Sequence, residues 1–142
     1  MIRIEPLTRQ HLATLRVQAA QLAEIGDGPL GGAAALGPAF AVSAAERVLL
    51  CAGLAESHPR HATAWALFSD GKGTAMVAIV RAIRRVFEAS GYRRIDCLVR
   101  GDMASGHVLA RLLGFEREGV LRHYTADGTD MVIYARIAGE MD

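Results

Sequence analysis

Between Trp65 and Met76 the chain reads WALFSDGKGTAM: an apolar run, a short turn with Gly71 and Gly73 on either side of Lys72, and the start of a long amphipathic segment. Glycines let a backbone approach a ligand without Cβ interference. Successive N–H groups that run into a helix N-terminus favour an anion, above all a phosphate. The turn is not a Walker A loop, because Lys72 is followed by Gly73 and not by Ser or Thr. From this segment alone two readings stay open, a phosphate cradle and a strand-to-helix turn with a glycine hinge. A second glycine motif, Gly26-Asp-Gly28-Pro-Leu-Gly31, has the spacing of a dinucleotide fingerprint, with Glu46 about where the ribose-binding acid belongs. Its context is wrong, since that fingerprint follows a strand and opens a helix, whereas here a helix precedes it and Pro29 interrupts it.

Proton-moving groups gather after the third apolar run, where Glu56 is followed by SHPRH, residues 57–61. A carboxylate can take a proton directly or through a water, and histidine changes charge near neutral pH. The plain alternative for Glu56 is a solvated loop acid. His58 and His61 without a cysteine or a nearby carboxylate pattern make no metal site, so no metal is expected. Arg81, Arg84 and Arg85 recur at the spacing of a solvated helix face, which argues against a nucleic-acid partner.

The elements that must carry these residues follow from periodicity. Ile2 to Leu7 alternates as a strand, and Thr8 is placed to cap a helix with Leu12, Leu15, Ala19 and Leu22 on one face and Gly26 as its stop. Gly26 to Pro38 is rich in Gly, Ala and Pro and predicts a loop or a poorly formed helix. Phe40–Ser43 and Arg47–Glu56 predict a strand pair joined by a turn at residues 44–46, and Thr63–Phe68 predicts a further strand. Met76, Ile79, Val80, Ile83 and Phe87 share one helical face and Gly91 ends that helix. RRIDCLVR then predicts a buried strand, and thus a crossover joining two parallel strands. A second helix is expected from Asp102 or Met103 to Leu113 with Gly114 as its left-handed stop. EGVLRHY and DMVIYARI predict a hairpin that turns at Asp127-Gly128.

With 142 residues, 51% of them hydrophobic, the chain is expected to be one domain. The net charge of +1 identifies no polyanionic partner. Cys51 and Cys97 lie in apolar runs and are expected to be buried, reduced thiols. The N-terminus lacks an apolar signal core and no apolar run has membrane length, so a cytoplasmic protein is expected.

Leu113-Gly114-Phe115, then Glu118, Gly119 and Arg122, and the closing hairpin form a specific pattern. It resembles the C-terminal part of the GNAT superfamily of N-acetyltransferases, in particular the branch that acetylates ribosomal-protein alanine. The order AWALFSD, VRAIRRVFEASGYRRI, LLGF is also similar to short acetyltransferase-like proteins of tailed phages and prophages, which would place the protein in a host cytoplasm.

The resemblance implies an α/β domain with a mixed, mostly antiparallel central sheet, helices on both faces, and a parallel pair, strands 4 and 5, that splays apart. Acetyl-CoA is the implied co-substrate. Its pantetheine arm would enter the splay, and its pyrophosphate would meet Leu67, Phe68, Ser69, Gly71, Lys72, Gly73, Thr74 and Ala75. An amine would attack the thioester directly in a ternary complex. The acceptor groove is implied to lie among the first helix, its following loop and the final hairpin, and a homodimer through the C-terminal strands fits the family. The sequence departs from the pattern at several points. Phe68 stands where the family's loop opens with Arg or Gln, Met103 replaces a common asparagine, Ala110 occupies the position of the usual acid tyrosine, and TAWALF carries no carboxylate. Glu56 is the expected substitute base, and Tyr124 or His107 the expected acid. The alternative is a GNAT-fold structural or interaction protein without catalysis.

Overall fold

The computed structural model describes residues 2–8, 10–11, 37–45, 47–68 and 76–139. Seven strands, β1 (Ile2–Pro6), β2 (Ala39–Ala44), β3 (Arg47–His58), β4 (His61–Phe68), β5 (Arg94–Arg100), β6 (Glu116–Leu121) and β7 (Met131–Ile137), form one sheet in the order β1-β2-β3-β4-β5-β7-β6. Every neighbouring pair is antiparallel except β4 and β5. Helix α1 (Met76–Ser90) crosses over between the parallel strands, and α2 (Ala104–Leu112) follows β5. The expected α/β architecture with a parallel pair in a mostly antiparallel sheet is present.

Strand alternation assigns the two faces. Leu50, Ala52 and Leu54 of β3, Ala62 and Phe68 of β4 and Ile95 of β5 join Ile79, Ile83 and Phe87 of α1 and Leu109, Ala110 and Leu113 in the main core. On the opposite face Ala41, Cys51 and Leu67 form a smaller cluster with Leu7, Val48 and Trp65. Leu7 leads the chain onto that face, where Thr8 and His11 cap each other at the helical turn of Gln10–His11. Thr8 Oγ1 accepts from the His11 amide at 3.3 Å and the Thr8 amide donates to His11 Nδ1 at 3.0 Å. The rest of that expected helix, the Gly26–Gly31 motif and Glu46 lie outside the described residues.

Helix α1 buries the predicted face, with Ile79 fully enclosed and Ile83 and Phe87 beside it. Gly91, at φ +77°, ends its connection in the left-handed region. The Leu-Gly-Phe motif has a structural cause. Gly114, at φ +92°, closes α2 as the Gly114 amide donates to Arg111 O and the Phe115 amide to Ala110 O, each at 3.0 Å. That closure drops Phe115 edge-on against Phe87, with ring centroids 5.6 Å apart.

Three expectations need correction. The final hairpin does not run to Tyr124, because β6 ends at Leu121 and residues 122–130 form a wider loop in which His123 takes φ +51°. Helix α2 starts at Ala104, with Met103 as a cap that makes no side-chain hydrogen bond. Both cysteines are free, but only Cys51 is buried and Cys97 is part-exposed. Among the described residues no helix is long and apolar enough to cross a membrane.

Candidate active site

The parallel ladder is short. β4 and β5 pair at His61↔Arg94, Ala62↔Ile95 and Thr63↔Asp96, and the ladder ends there. Beyond that rung β4 continues beside β3 to Phe68, and β5 continues beside β7 to Arg100. The two strands thus stay in one sheet while a gap opens between them toward their C-terminal ends. On the helix side the gap is bordered by Ala64 and Ala66 of β4 and Cys97 and Val99 of β5, all packed against the main core. Helix α2 lies close over this border because Gly106 has no side chain; a Cβ there would meet Val99 Cγ1 at 2.7 Å. On the other face alternation places His61, Thr63, Trp65 and Leu67 of β4 and Arg94, Asp96 and Leu98 of β5. Trp65 lies across Gly53 of β3, whose missing side chain makes room for the indole.

At the closed end of the gap stands a polar cluster in an otherwise apolar sheet. Asp96 is buried, 8% exposed. Its Oδ1 accepts from Thr63 Oγ1 at 2.7 Å, and its Oδ2 lies 2.8 Å from His61 Nε2 and 3.2 Å from Arg94 Nε. Burial alone would raise the Asp96 pKa, but the hydrogen bonds from Thr63 and His61 and the charges of His61 and Arg94 hold it below the usual carboxylate range. Arg94 also grips Glu118 through two bonds of 2.7 and 3.1 Å. The Glu118-Gly119 pair of the motif thereby acquires a physical role: Glu118 anchors Arg94, and Gly119 sits at the β6 register shift that follows Arg117.

His107 leaves the helix side of the same region. Its Nε2 is 3.1 Å from Gly101 O and its Nδ1 2.7 Å from Tyr134 Oη. A carbonyl only accepts, so Nε2 carries the proton, Nδ1 is the acceptor, and the Tyr134 hydroxyl donates to it. Tyr134 pairs with Cys97, one residue beyond the last β4–β5 rung. Ala110, in the position of the expected acid, is buried in the core one turn further along α2. Burial, and then the charge of Asp96, push the Cys97 thiol up to about 12, so it is held protonated.

Tyr124 is exposed in the 122–130 loop. The loop is tied to the far end of β5 by Arg100, which donates to Asp127 at 3.2 Å, to Thr129 Oγ1 at 3.0 Å and to both carboxylate oxygens of Asp102. Bonds from Thr125 and Thr129, helped by Arg100, keep the Asp127 carboxyl below its ordinary range. Glu56 lies elsewhere. It pairs with Ala62 at the closed end, its carboxylate accepts from Tyr92 Oη at 2.6 Å, and alternation with Leu54 puts it on the helix side. Gly101, to which His107 is bonded, is six residues along β5 from Ile95, or ~20 Å at strand rise. Glu56, at the closed end, is therefore not brought to the Gly101 end of β5, where His107 is bonded and the 122–130 loop is tied.

Leu67 and Phe68 direct their side chains into the cores on opposite faces, so neither side chain faces a ligand in the gap. Ser69, Gly71, Lys72, Gly73, Thr74 and Ala75 lie outside the described residues. Among the described residues no three His, Cys, Asp or Glu side chains converge on a metal site. Asp96 is not among the site residues expected from the sequence, although an acid in the middle of the apolar run RIDCLV is a signal, since a buried carboxylate requires partners.

No family model and no curated protein matches this sequence. Solved structures do match, across almost the whole chain. A spermidine N-acetyltransferase from Vibrio cholerae in complex with CoA and spermine is 18% identical, with 96% of this chain and 95% of that one covered and a TM-score of 0.73. A GNAT family acetyltransferase from Elizabethkingia anophelis with acetyl-CoA bound is 12% identical, covering 96% and 97%, at 0.71. The ribosomal-protein-S18-alanine N-acetyltransferase from Escherichia coli is 20% identical, covering 99% and 97%, at 0.69. At these identities the likeness is one of fold, and the fold is that of the GNAT acetyltransferases.

Proposed function

We propose that the protein is an acetyl-CoA-dependent N-acetyltransferase that acts on a primary amine of a protein, peptide or small molecule. The observation that carries this reading is the β4–β5 ladder that stops after three rungs inside a continuous sheet. Hydrogen-bonding strand edges at a gap suit an amide-bearing chain such as pantetheine, which can add main-chain-like bonds to a strand. On the helix side β4 borders the gap with only the methyl groups of Ala64 and Ala66. The solved relatives with CoA or acetyl-CoA bound support the same choice of ligand.

Acetyl-CoA supplies an activated acyl thioester. The main chain of β4 and β5 holds the arm, and Gly71, Lys72 and Gly73, with Ser69, Thr74 and Ala75, take the pyrophosphate at the start of α1. His107, held by Gly101 O and Tyr134 Oη on the helix side, supplies a proton to the departing sulfur only in its imidazolium form, because the neutral ring would have to give up its one N–H. Tyr124, carried on a loop braced by Arg100, is the alternative donor. The acceptor amine approaches from the opposite face, where Leu7 leads into the first helical turn and Trp65 lies on the sheet.

Calorimetry with acetyl-CoA, together with thiol release using spermidine and an alanine-terminated peptide as probe amines, tests the proposal. Saturable binding is expected, and it is expected to weaken at least tenfold in Gly71→Val/Gly73→Val while the urea midpoint stays in place. Absence of binding at millimolar coenzyme would refute it.

A further inference from the structure

The proposed coenzyme site does not use the Asp96 cluster, yet the cluster sits at a particular place. Its residues form the last rungs before the gap opens, on the face opposite α1 and α2, which is where the acceptor arrives under the reading above. We infer that His61 is the base that takes the proton from the attacking amine and that Asp96 is its positioning residue; the inference rests on the acetyltransferase reading.

The geometry assigns the tautomer. Asp96 is an acceptor, its Oδ1 filled by Thr63 and its Oδ2 facing His61 Nε2 at 2.8 Å, so Nε2 carries the hydrogen and Nδ1 keeps its lone pair. No partner of Nδ1 is present among the described residues, and the His61 side chain is 23% exposed, so the lone pair is within reach of a ligand. Asp96, at 11% side-chain exposure, cannot turn away to solvent. This is the arrangement in which a buried carboxylate orients an imidazole and stabilises its protonated form. Three other groups face the pair. Arg94 shares the Oδ2 atom and is itself neutralised by Glu118, and the His58 ring lies 5.5 Å from that of His61. Arg94 keeps Asp96 ionised, and its pairing with Glu118 leaves His61 facing little net positive charge. His58 is turned to its own strand connection, with Nδ1 accepting from the Arg60 amide at 3.1 Å.

The balance of the step is simple. The amine nitrogen forms the new C–N bond, the C–S bond breaks with its electron pair on sulfur, the surplus proton of nitrogen passes to His61 Nδ1, and the thiolate takes a proton from His107 or solvent. His61 returns its proton to water. No oxidant, reductant or metal is required.

The test uses the full chain as wild type, His61→Gln, Asp96→Asn and, as a control, His58→Gln. Histidine-labelled NMR is read on adding acetyl-CoA, and thiol release is then followed with spermidine and the alanine-terminated peptide. In wild type the His61 ring signals are expected to shift saturably with acetyl-CoA. His61→Gln is expected to bind acetyl-CoA as wild type does but to lose roughly 10²- to 10⁴-fold in turnover. Asp96→Asn is expected to lower kcat while the KM for acetyl-CoA stays in place, and to move the His61 ring-nitrogen signals from the Nε2–H pattern toward a mixture of tautomers, a change that a merely structural Asp96 would not cause. His58→Gln is expected to keep wild-type turnover. If His61→Gln retains wild-type turnover, or if acetyl-CoA binds without touching the His61 signals, the inference is overturned and the acetyltransferase reading survives. If wild type neither binds acetyl-CoA nor acetylates either probe, both fall.

Discussion

Ala64→Leu distinguishes a real gap from a closed sheet by the sign of a stability change. Ala64 follows the last β4–β5 rung, pairs with Leu54 on its other side and packs, part-exposed, against the main core. Leucine adds three carbons. If they enter vacant space beside Cys97 and Val99, their burial contributes up to about 2.4 kcal/mol at ~0.8 kcal/mol per carbon. Ordering the longer side chain costs about 0.5–1 kcal/mol, which leaves the variant about as stable as wild type or up to roughly 1.9 kcal/mol more so. If the strands instead close behind Thr63 and Asp96, the same carbons overpack the interior and destabilise by about 1–3 kcal/mol. Urea unfolding reads the sign and calorimetry reads the ligand, whose affinity is expected to fall at least tenfold, or ~1.4 kcal/mol. A destabilised variant that binds acetyl-CoA as well as wild type would refute the reasoning.

Two further outcomes follow from the same structure. Gly114→Ala forces a side chain into the left-handed region at φ +92° and is expected to cost about 1–2 kcal/mol in urea unfolding, with α2 losing its stop and Phe115 its seat on Phe87. Asp96 contributes stability with a definite pH sign. Its folded pKa is depressed, so the contribution is complete above the unfolded value of about 3.9 and is lost as pH falls through the lower folded one. The stability difference between wild type and Asp96→Asn is therefore expected to be constant above about pH 5 and to shrink in acid, and a difference that grew in acid would contradict this sign.

Much of the frame was legible in the sequence because it is local. The α1 face is written in the spacing of Ile79, Ile83 and Phe87, and Gly91 and Gly114 mark stops that only a left-handed residue makes easily. The β4–α1–β5 crossover followed from strand, helix and strand in order, and fixed the parallel pair. What the sequence concealed depends on contacts between distant residues. Arg100 reaches 27 residues ahead to Asp127 and holds open a loop that a tight Asp-Gly turn would have closed, which is why Tyr124 lies beyond the end of β6. Glu56 looked like a loop acid near two histidines, but strand parity sends it to Tyr92, 36 residues on and on the helix side. His61 and Asp96 are 35 residues apart and meet only because the parallel register sets His61 opposite Arg94. A one-residue slip of that register would put Asp96 among Ile83, Phe87 and the other side chains of the main core.

Amide NMR during an acetyl-CoA titration asks whether the coenzyme lies between β4 and β5. Saturable shifts concentrated in Ala64–Phe68, in the 69–75 segment and in Cys97–Gly101 are expected. Shifts confined to other strands, or none at millimolar coenzyme, would contradict that placement.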